Sequence, residues 1–392
     1  MKVLHVISTR GPGSAGHQVR LLVRRLPHDS EVAVLTPPDA DACAGVPGSV
    51  PAHRLTASRD WDPGAIRELR ALMRAGRYDL VHTHLYRASV LGRIAARLAG
   101  VRHVVATEHH LGADALSPGR RALYLAGERL GEVTIAGSPA IAGRLRSWGV
   151  PDDRITMIPK AIDAAEFRFD RRLRRVARSR LGVGPGVPLV GGVGRLEPDK
   201  RFDLLIRAIA EVPDACLLLV GDGPARPALE RLAVIEGVAD RVLFAGPVAH
   251  TRELLCAMDV FASPAPATFG LATLEAIACG LPALYATCLP LEERIISRTP
   301  VRGTHRLAAR DRESLPRALR AELLCLAERG GERLPARSVG SRYDAEHLAA
   351  SVGRLYERIA GRPGRRGVIA PLLAHRGRKS IFPLHGGNAR NA

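Results

Sequence analysis

Two basic residues that follow a glycine-rich strand are the strongest candidates for chemistry in this 392-residue sequence. The segment GGVGRLEPDK, residues 191–200, begins as a buried strand, ends in a glycine turn and carries Arg195 and Lys200. Ligands of open α/β sheets bind beyond the carboxyl ends of the strands. A planar guanidinium and a compact ammonium at that position suit a diphosphate. The alternative is a pair of solvated side chains that follow a strand without a ligand.

Three other segments predict glycine turns at the same edge of that sheet. LLLVGDGP at 217–224 and FAGPV at 244–248 each end a strand in a turn, and TFGLATLEAIACGLP at 268–282 opens a helix. Glycine lets the backbone approach a ligand, and the first N–H groups of a helix attract phosphate. A carboxylate in that helix can accept hydrogen bonds from ribose hydroxyls; the alternative is a solvated helix charge. The predicted donor-binding residues of this half are Gly221, Gly223, Phe269, Gly270, Leu271 and Glu275.

The succession of strand-like and helix-like runs predicts parallel sheets with helical crossovers. In the first half the predicted strands are 3–8, 31–36, 80–83, 103–108 and 133–137. The pattern breaks between about 157 and 188 and then restarts with strands at 188–193, 216–221, 242–245 and 260–263. The fold class is therefore α/β, with two doubly wound domains.

This pattern also sets the expected boundaries of the domains. We predict an N-terminal acceptor-side domain at 1–158, a linker at 159–187, a C-terminal donor-binding domain at 188–340, a helix returning to the N-terminal domain at 341–360, and a basic, disordered tail at 361–392. Leu348, Val352, Leu355 and Ile359 give the final helix one apolar face.

The net charge of +19 narrows the range of partners. Only four of the 58 basic residues are lysine, so part of the charge reflects the arginine-rich codon usage of a G+C-rich genome. Aromatic residues make up only 4% and no nucleic-acid-binding motif is present, which disfavours a nucleic-acid reader. The charge suits an anionic or lipid-linked acceptor and peripheral contact with an anionic membrane surface.

Several features predict a cytoplasmic protein that is at most peripheral at the inner face of the membrane. The six cysteines include no CxxC pair and are expected to be reduced. No apolar run approaches the roughly 20 residues of a membrane-spanning helix. The first residues enter a strand directly rather than forming a secretory signal.

The order VGRL-x3-K, LLLVGDGP, FAGPV and FGLATLEAIACGLP resembles the retaining GT-B glycosyltransferases of glycosyltransferase family 4. The resemblance spans about residues 1–360 and is most specific at 188–284. It implies two Rossmann-like domains around a cleft. It also implies transfer of a sugar from a nucleoside-diphosphate sugar, with a UDP-sugar expected, to a hydroxyl of a lipid-linked, cell-envelope or specialised-metabolite acceptor such as a glycolipid antibiotic.

The resemblance also assigns site residues. It gives the donor diphosphate to Arg195 and Lys200, the ribose to Glu275, and the role of active-site histidine to His109 in VVATEHHLG. A partly buried imidazole there can hydrogen-bond a donor hydroxyl or move a proton near neutral pH. Structural roles are favoured for the other histidines of this region: His82, His84 and His110.

The sequence departs from the family pattern at two positions. The loop GPGSAGHQ at 11–18 matches the family's glycine loop and places Gly13 against the diphosphate, but Gly16 stands where many members have glutamate. The family's E-x7-E motif requires a glutamate eight residues before Glu275, and Ala267 stands there. That loss predicts a slower enzyme, an altered sugar preference or an inactive homologue.

We expect no metal and no cofactor other than the nucleotide-sugar co-substrate. Asp39 and Asp41 form a D-x-D pattern, but so short a pattern arises by chance and here lies in a proline-rich loop. Cationic side chains and helix dipoles serve the leaving diphosphate instead. Two alternatives remain at this stage: a GT-B sugar-nucleotide epimerase and a non-catalytic homologue that binds the donor.

Overall fold

The computed structural model describes most of the chain. The described residues are 1–8, 13–37, 50–57, 59–109, 117–248, 250–266, 269–292, 301–308, 313–334 and 343–361.

The N-terminal half forms a seven-stranded parallel sheet. Its strands are β1 (Lys2–Ser8), β2 (Asp29–Thr36), β3 (Ala52–Thr56), β4 (Leu80–His84), β5 (His103–Glu108), β6 (Val133–Ala136) and β7 (Ile155–Met157). Their order across the sheet is β3-β2-β1-β4-β5-β6-β7. The helices of this half are α1 (Ser14–Arg25), α2 (Pro63–Gly76), α3 (Tyr86–Ala99), α4 (Pro118–Glu128) and α5 (Pro139–Trp148).

The C-terminal half forms a six-stranded parallel sheet. Its strands are β8 (Leu189–Val193), β9 (Cys216–Val220), β10 (Val242–Gly246), β11 (Val260–Ser263), β12 (Ala283–Tyr285) and β13 (Thr304–Arg306), in the order β10-β9-β8-β11-β12-β13. The helices from the linker onward are α6 (Arg171–Arg180), α7 (Phe202–Ala210), α8 (Arg226–Ile235), α9 (Arg252–Ala257), α10 (Leu271–Ala278), α11 (Leu289–Glu292), α12 (Ser314–Glu328) and α13 (Ala345–Ala360).

The prediction of two doubly wound α/β domains is confirmed. In both sheets the central strands are buried on both faces, as parallel strands between helical layers must be. The strand order reverses between β1 and β4 in the first sheet and between β8 and β11 in the second. Ligands of such sheets bind at these reversal points, so the candidate residues after β5, β8 and β11 lie close to them.

Local signals explain several helix ends. Oδ1 of Asp62 accepts a hydrogen bond from the backbone N–H of Ala65, and Pro63 takes the first position of α2. Gly100 and Gly149 end α3 and α5 in the left-handed conformation, which glycine adopts at little cost.

The predicted linker contains α6, which packs against α9 of the C-terminal half. Two of its arginines form ion pairs and hydrogen bonds within the protein. Arg174 and Arg178 bind the two carboxylate oxygens of Asp259 at 2.7 and 3.1 Å, and both donate to the carbonyl oxygen of Ala257. These two side chains are therefore occupied within the fold and do not contribute to a free basic surface.

The last described helix, α13, packs against α1 of the N-terminal half. Its residues Leu348, Val352, Leu355 and Ile359 are all buried, in one cluster with Leu22 of α1 and neighbouring core residues. Among the described residues, no helix combines the length and apolar character that crossing a bilayer requires.

Candidate functional site

The glycine turns after β8 and β9 interlock. The N–H of Gly194 donates to the carbonyl oxygen of Val220 at the end of β9, and the N–H of Leu196 donates to that of Asp222 in the loop that follows. A methyl group on Gly221 would overlap the carbonyl oxygen of Gly194, and one on Gly223 would stand 2.5 Å from the carbonyl oxygen of Leu196. Because only glycine permits this approach, the predicted turn residues lie directly beside the loop that carries Arg195.

Gly221→Ala should lower the free energy of unfolding by about 1–3 kcal/mol, because its φ of 134° is unfavourable for residues with a side chain and the added methyl group overlaps backbone. Urea unfolding measures the change. Gly186→Ala is the matched control, since nothing lies within 4 Å of a methyl group there. Equal stability of the two variants would show that the turns are not tightly interlocked.

The two residues predicted to bind the diphosphate, Arg195 and Lys200, lie after β8 and form ion pairs with nearby acidic residues. Nη1 of Arg195 contacts Oε1 of Glu197 at 2.5 Å, and Nζ of Lys200 contacts Oδ2 of Asp199 at 3.0 Å. The Arg195 side chain is 66% exposed and that of Lys200 33%. Surface pairs of this kind contribute about 0–1 kcal/mol, so both cations can exchange these partners for a diphosphate.

The amino end of α10 is built around a glycine. Gly270 has a φ of 92°, and a methyl group there would stand 2.7 Å from Sγ of Cys288. The helix begins at Leu271 without a side-chain cap, which leaves its first N–H groups for a ligand. The ring of Phe269 is buried and packs edge-on against the ring of Tyr343, with 5.8 Å between the ring centroids. Only the backbone of Phe269 is therefore placed to contact a donor.

Glu275 lies in the same helix in a partly buried position. Burial raises the pKa of its carboxyl to about 7, the hydrogen bond from Thr251 opposes the rise, and the charge of Glu166 adds to it. The positive charge of Arg20 acts in the opposite direction. The carboxylate therefore titrates near physiological pH, where a ligand can shift its protonation.

The two halves of the chain meet beside Glu275. Nη2 of Arg20 in α1 contacts Nδ1 of His17 at 2.7 Å, and Nη1 of the same arginine contacts Nδ1 of His250 from the C-terminal half at 3.5 Å. Gly13 precedes α1 and provides no side-chain cap, so the amino end of this helix also remains available. The sequence pattern marked the glycine loop but gave no signal for Arg20 or His250.

A row of buried imidazoles leads to His109. Nδ1 of His5 lies 3.2 Å from Nε2 of His84, and Nδ1 of His84 lies 3.1 Å from Nε2 of His109. His82 lies beside this row and bonds to the hydroxyl of Tyr356 at 2.5 Å and to a threonine hydroxyl. The hydrogen bonds of His82 and His84 match the structural roles that the sequence favours for them.

His109 is neutral at physiological pH. Burial, and next the positive charge of Lys160, lower the pKa of its imidazole to about 3. Of the two roles that the sequence predicts for His109, so low a pKa favours the hydrogen bond to a donor hydroxyl over proton transfer near neutral pH. Its Nδ1 atom has no hydrogen-bond partner in the described part of the chain, so it can still bond to a donor hydroxyl.

The nitrogens of His5, His82 and His84 lie within 4.8 Å of one another, a spacing that could hold a metal ion. Both ring nitrogens of His82 and of His84 already have hydrogen-bond partners, which a metal would have to displace. The row is therefore described better as hydrogen-bonded neutral imidazoles. Several residues that the sequence singles out lie outside the described residues: Asp39, Asp41, His110 and Ala267.

The chain matches two family models. The model of Glycosyltransferase Family 4 matches residues 9–166, and the model of Glycosyl transferases group 1 matches residues 187–324. Among solved structures, the Anabaena protein HepE in complex with UDP-glucose has a TM-score of 0.74 at 20% identity and covers 91% of this chain and 100% of its own. Sucrose-phosphate synthase from Thermosynechococcus elongatus has a TM-score of 0.71 at 22% identity, covering 92% and 99%. These structures share the fold.

Two curated relatives are more similar in sequence. D-inositol 3-phosphate glycosyltransferase of Rhodococcus jostii is 33% identical over 57% of this chain and 54% of its own length. GDP-mannose-dependent alpha-(1-6)-phosphatidylinositol monomannoside mannosyltransferase of Mycolicibacterium smegmatis is 36% identical over 50% of this chain and 54% of its own. The matches thus span about half the length of these relatives.

Proposed function

Because the chain belongs to glycosyltransferase family 4, with a GT-B fold, we propose that it transfers a hexosyl group from a nucleoside-diphosphate sugar to an acceptor hydroxyl with retention of configuration. The observation that supports this most strongly is the pairing of Arg195 and Lys200 with interlocked glycine turns at the carboxyl edge of the second sheet. Such a site suits a diphosphate that becomes more negative as the sugar departs.

Each residue of the proposed site has a separate role in the reaction. Arg195 and Lys200 stabilise the leaving diphosphate, and the free N–H groups of α10 add a positive dipole. Glu275 accepts hydrogen bonds from the ribose. The neutral imidazole of His109 bonds to a hydroxyl of the donor sugar and orients it. The acceptor hydroxyl attacks from the face that the diphosphate leaves, and the departing phosphate oxygen takes its proton.

The proposed acceptor is a phosphorylated polyol, free or joined to a lipid. The names of both curated relatives specify inositol-based phosphates, and the net charge of +19 favours an anionic acceptor. The donor nucleotide differs among the similar proteins, since HepE is bound to UDP-glucose and the mannosyltransferase is named for GDP-mannose. We propose a UDP-sugar, with GDP-mannose as the first competitor.

Product analysis tests the proposed function. The protein is incubated with UDP-, GDP- and TDP-sugars, each with inositol 3-phosphate or phosphatidylinositol, and products are identified by mass spectrometry and by NMR of the anomeric proton. A glycoside with the anomeric configuration of the donor supports the proposal. An altered donor sugar without acceptor indicates an epimerase. Nucleotide binding without any product indicates a non-catalytic homologue, the alternative that the loss of the family glutamate at Ala267 suggests.

Turnover should persist at more than half of its initial rate after exhaustive treatment with EDTA. The expectation rests on Arg195 and Lys200, because they can supply the positive charge that a metal would otherwise bring to the diphosphate. The initial rate is compared before EDTA, after EDTA and after Mg²⁺ is restored. A rate that vanishes with EDTA and returns with Mg²⁺ would contradict the prediction and direct attention to Asp39 and Asp41.

A further inference from the structure

A buried lysine at the carboxyl edge of the first sheet has no counter-charge in the part of the chain that the structure describes. Lys160 follows β7, is only 7% exposed, and makes no hydrogen bond or ion pair with another residue in the described ranges. Its stem lies beside Gly137, which follows β6, since a methyl group there would stand 3.4 Å from both Cγ and Cε of Lys160. Its charge also acts on His109, which follows β5. Three neighbouring strands thus end around this ammonium.

The backbone next to Lys160 is held in place. The side chain of Gln18 in α1 donates to the carbonyl oxygen of Ala161 at 2.7 Å and accepts from its N–H at 2.9 Å. Gln18 is itself buried. The lysine therefore cannot relieve its burial by a simple shift of the loop. Buried charges in proteins are normally paired, because an unpaired charge loses its hydration without compensation.

We propose that Lys160 binds an oxyanion of the substrate, a phosphate group, at a site separate from Arg195 and Lys200. This inference rests on the proposed function, because it assumes that the phosphate is part of a substrate of that reaction. Two sources carry this chemistry: the phosphate of the acceptor and the diphosphate of the donor. The acceptor is favoured, because the donor diphosphate already has two cations assigned to it, Arg195 and Lys200, which follow β8 in the other half of the chain.

The site gives a direct spectroscopic readout. Burial lowers the pKa of Lys160 to about 8, so its ammonium titrates within an accessible range. A bound phosphate stabilises the charged form and raises this pKa. The chain contains only four lysines, so incorporation of ¹³C-labelled lysine yields four Cε signals, from Lys2, Lys160, Lys200 and Lys379. The signal of Lys160 is identified by its loss in Lys160→Met.

The pH titration of the Lys160 signal is recorded in the full chain alone and with inorganic phosphate, with inositol 3-phosphate, and with UDP or GDP. We expect a titration midpoint near 8 for the free protein and a rise of about one pH unit or more with inorganic phosphate and with inositol 3-phosphate. The signal of Lys2 is the internal control, because Lys2 pairs with Glu31 on the surface. A response to the nucleotides alone assigns the oxyanion to the donor.

A kinetic measurement supports the spectroscopic one. Lys160→Met keeps the length of the side chain but removes its charge, and should raise KM for the phosphorylated acceptor by about 10- to 100-fold. KM for the nucleotide sugar should change less than threefold. Should this variant fail to fold, the titration of the wild-type chain decides by itself.

A Lys160 midpoint that none of the four ligands moves would overturn the inference. So would a midpoint near the ordinary value for lysine in the free protein, because the ammonium would then be solvated. These results are independent of turnover. A chain that transfers sugar while Lys160 remains unresponsive refutes only this inference, and one that binds phosphate at Lys160 without transferring sugar refutes only the proposed function.

Discussion

Replacing Arg195 or Lys200 by alanine should lower kcat/KM by about 30- to 1000-fold, which corresponds to roughly 2–4 kcal/mol of lost transition-state stabilisation. The loss should fall mainly on kcat, because the diphosphate gains negative charge as the glycosidic bond breaks. Within the described ranges, the two cations pair only with Glu197 and Asp199 close by in the sequence. Removing either cation therefore leaves the fold intact and deprives the leaving group of a partner.

Arg207→Ala is the matched control for both variants. Arg207 lies in α7, its side chain is 57% exposed, and it pairs with Glu236, so it shares charge and exposure with Arg195 without following a glycine turn. Its replacement should change kcat/KM by less than twofold. Steady-state kinetics with the best donor and acceptor provide the comparison. Losses below threefold in both Arg195→Ala and Lys200→Ala would remove the diphosphate assignment.

Much of the fold follows from the sequence because buried parallel strands form continuous apolar runs that are easily recognised. Each of the nine predicted strands is present, with ends within two residues of the prediction. The sequence did not predict β3, β7, β12 and β13. The last three have only three residues each, too few to show a pattern. Strand β3 has five residues but lies at a sheet edge with only Leu55 buried, so it lacks the apolar run that marks the central strands.

The backbone of the candidate site follows from the sequence where local chemistry determines its conformation. Glycine turns after strands can be recognised because few other residues fit, as Gly221 and Gly270 illustrate. The low pKa of His109, and the lack of a counter-charge at Lys160 among the described residues, could not be predicted, because both depend on burial by residues distant in sequence. The contact between Arg20 and His250 joins residues 230 positions apart and has no local signature.

Nucleotide affinity of the wild-type protein should rise by about tenfold between pH 6 and pH 8 because of Glu275. Burial raises the pKa of this carboxyl to about 7 in the free protein. Ribose hydroxyls donate hydrogen bonds to the ionised carboxylate and therefore favour that form. Binding thus lowers the pKa, and affinity is greater above pH 7, where the carboxylate is already ionised, than below it, where a proton must first be lost.

Glu275→Gln should abolish this pH dependence and weaken binding at pH 8 by about 10- to 100-fold, since the amide loses charge-assisted hydrogen bonds. Calorimetric titration with UDP and GDP at pH 6, 7 and 8 measures both effects. Glu236→Gln is the control, because Glu236 pairs with Arg207 outside the site and should leave the pH profile unchanged.

A thermal measurement separates the effect of Glu275 on stability from its effect on nucleotide binding. A carboxyl whose pKa is raised by folding reduces stability as pH increases from its ordinary value toward 7, because the unfolded chain ionises first. Without nucleotide, Glu275→Gln should therefore raise Tm at pH 8 relative to wild type and have little effect at pH 5. If Tm rises as expected while nucleotide affinity is unaltered at every pH, Glu275 is a buried carboxyl of the fold and the ribose has another partner.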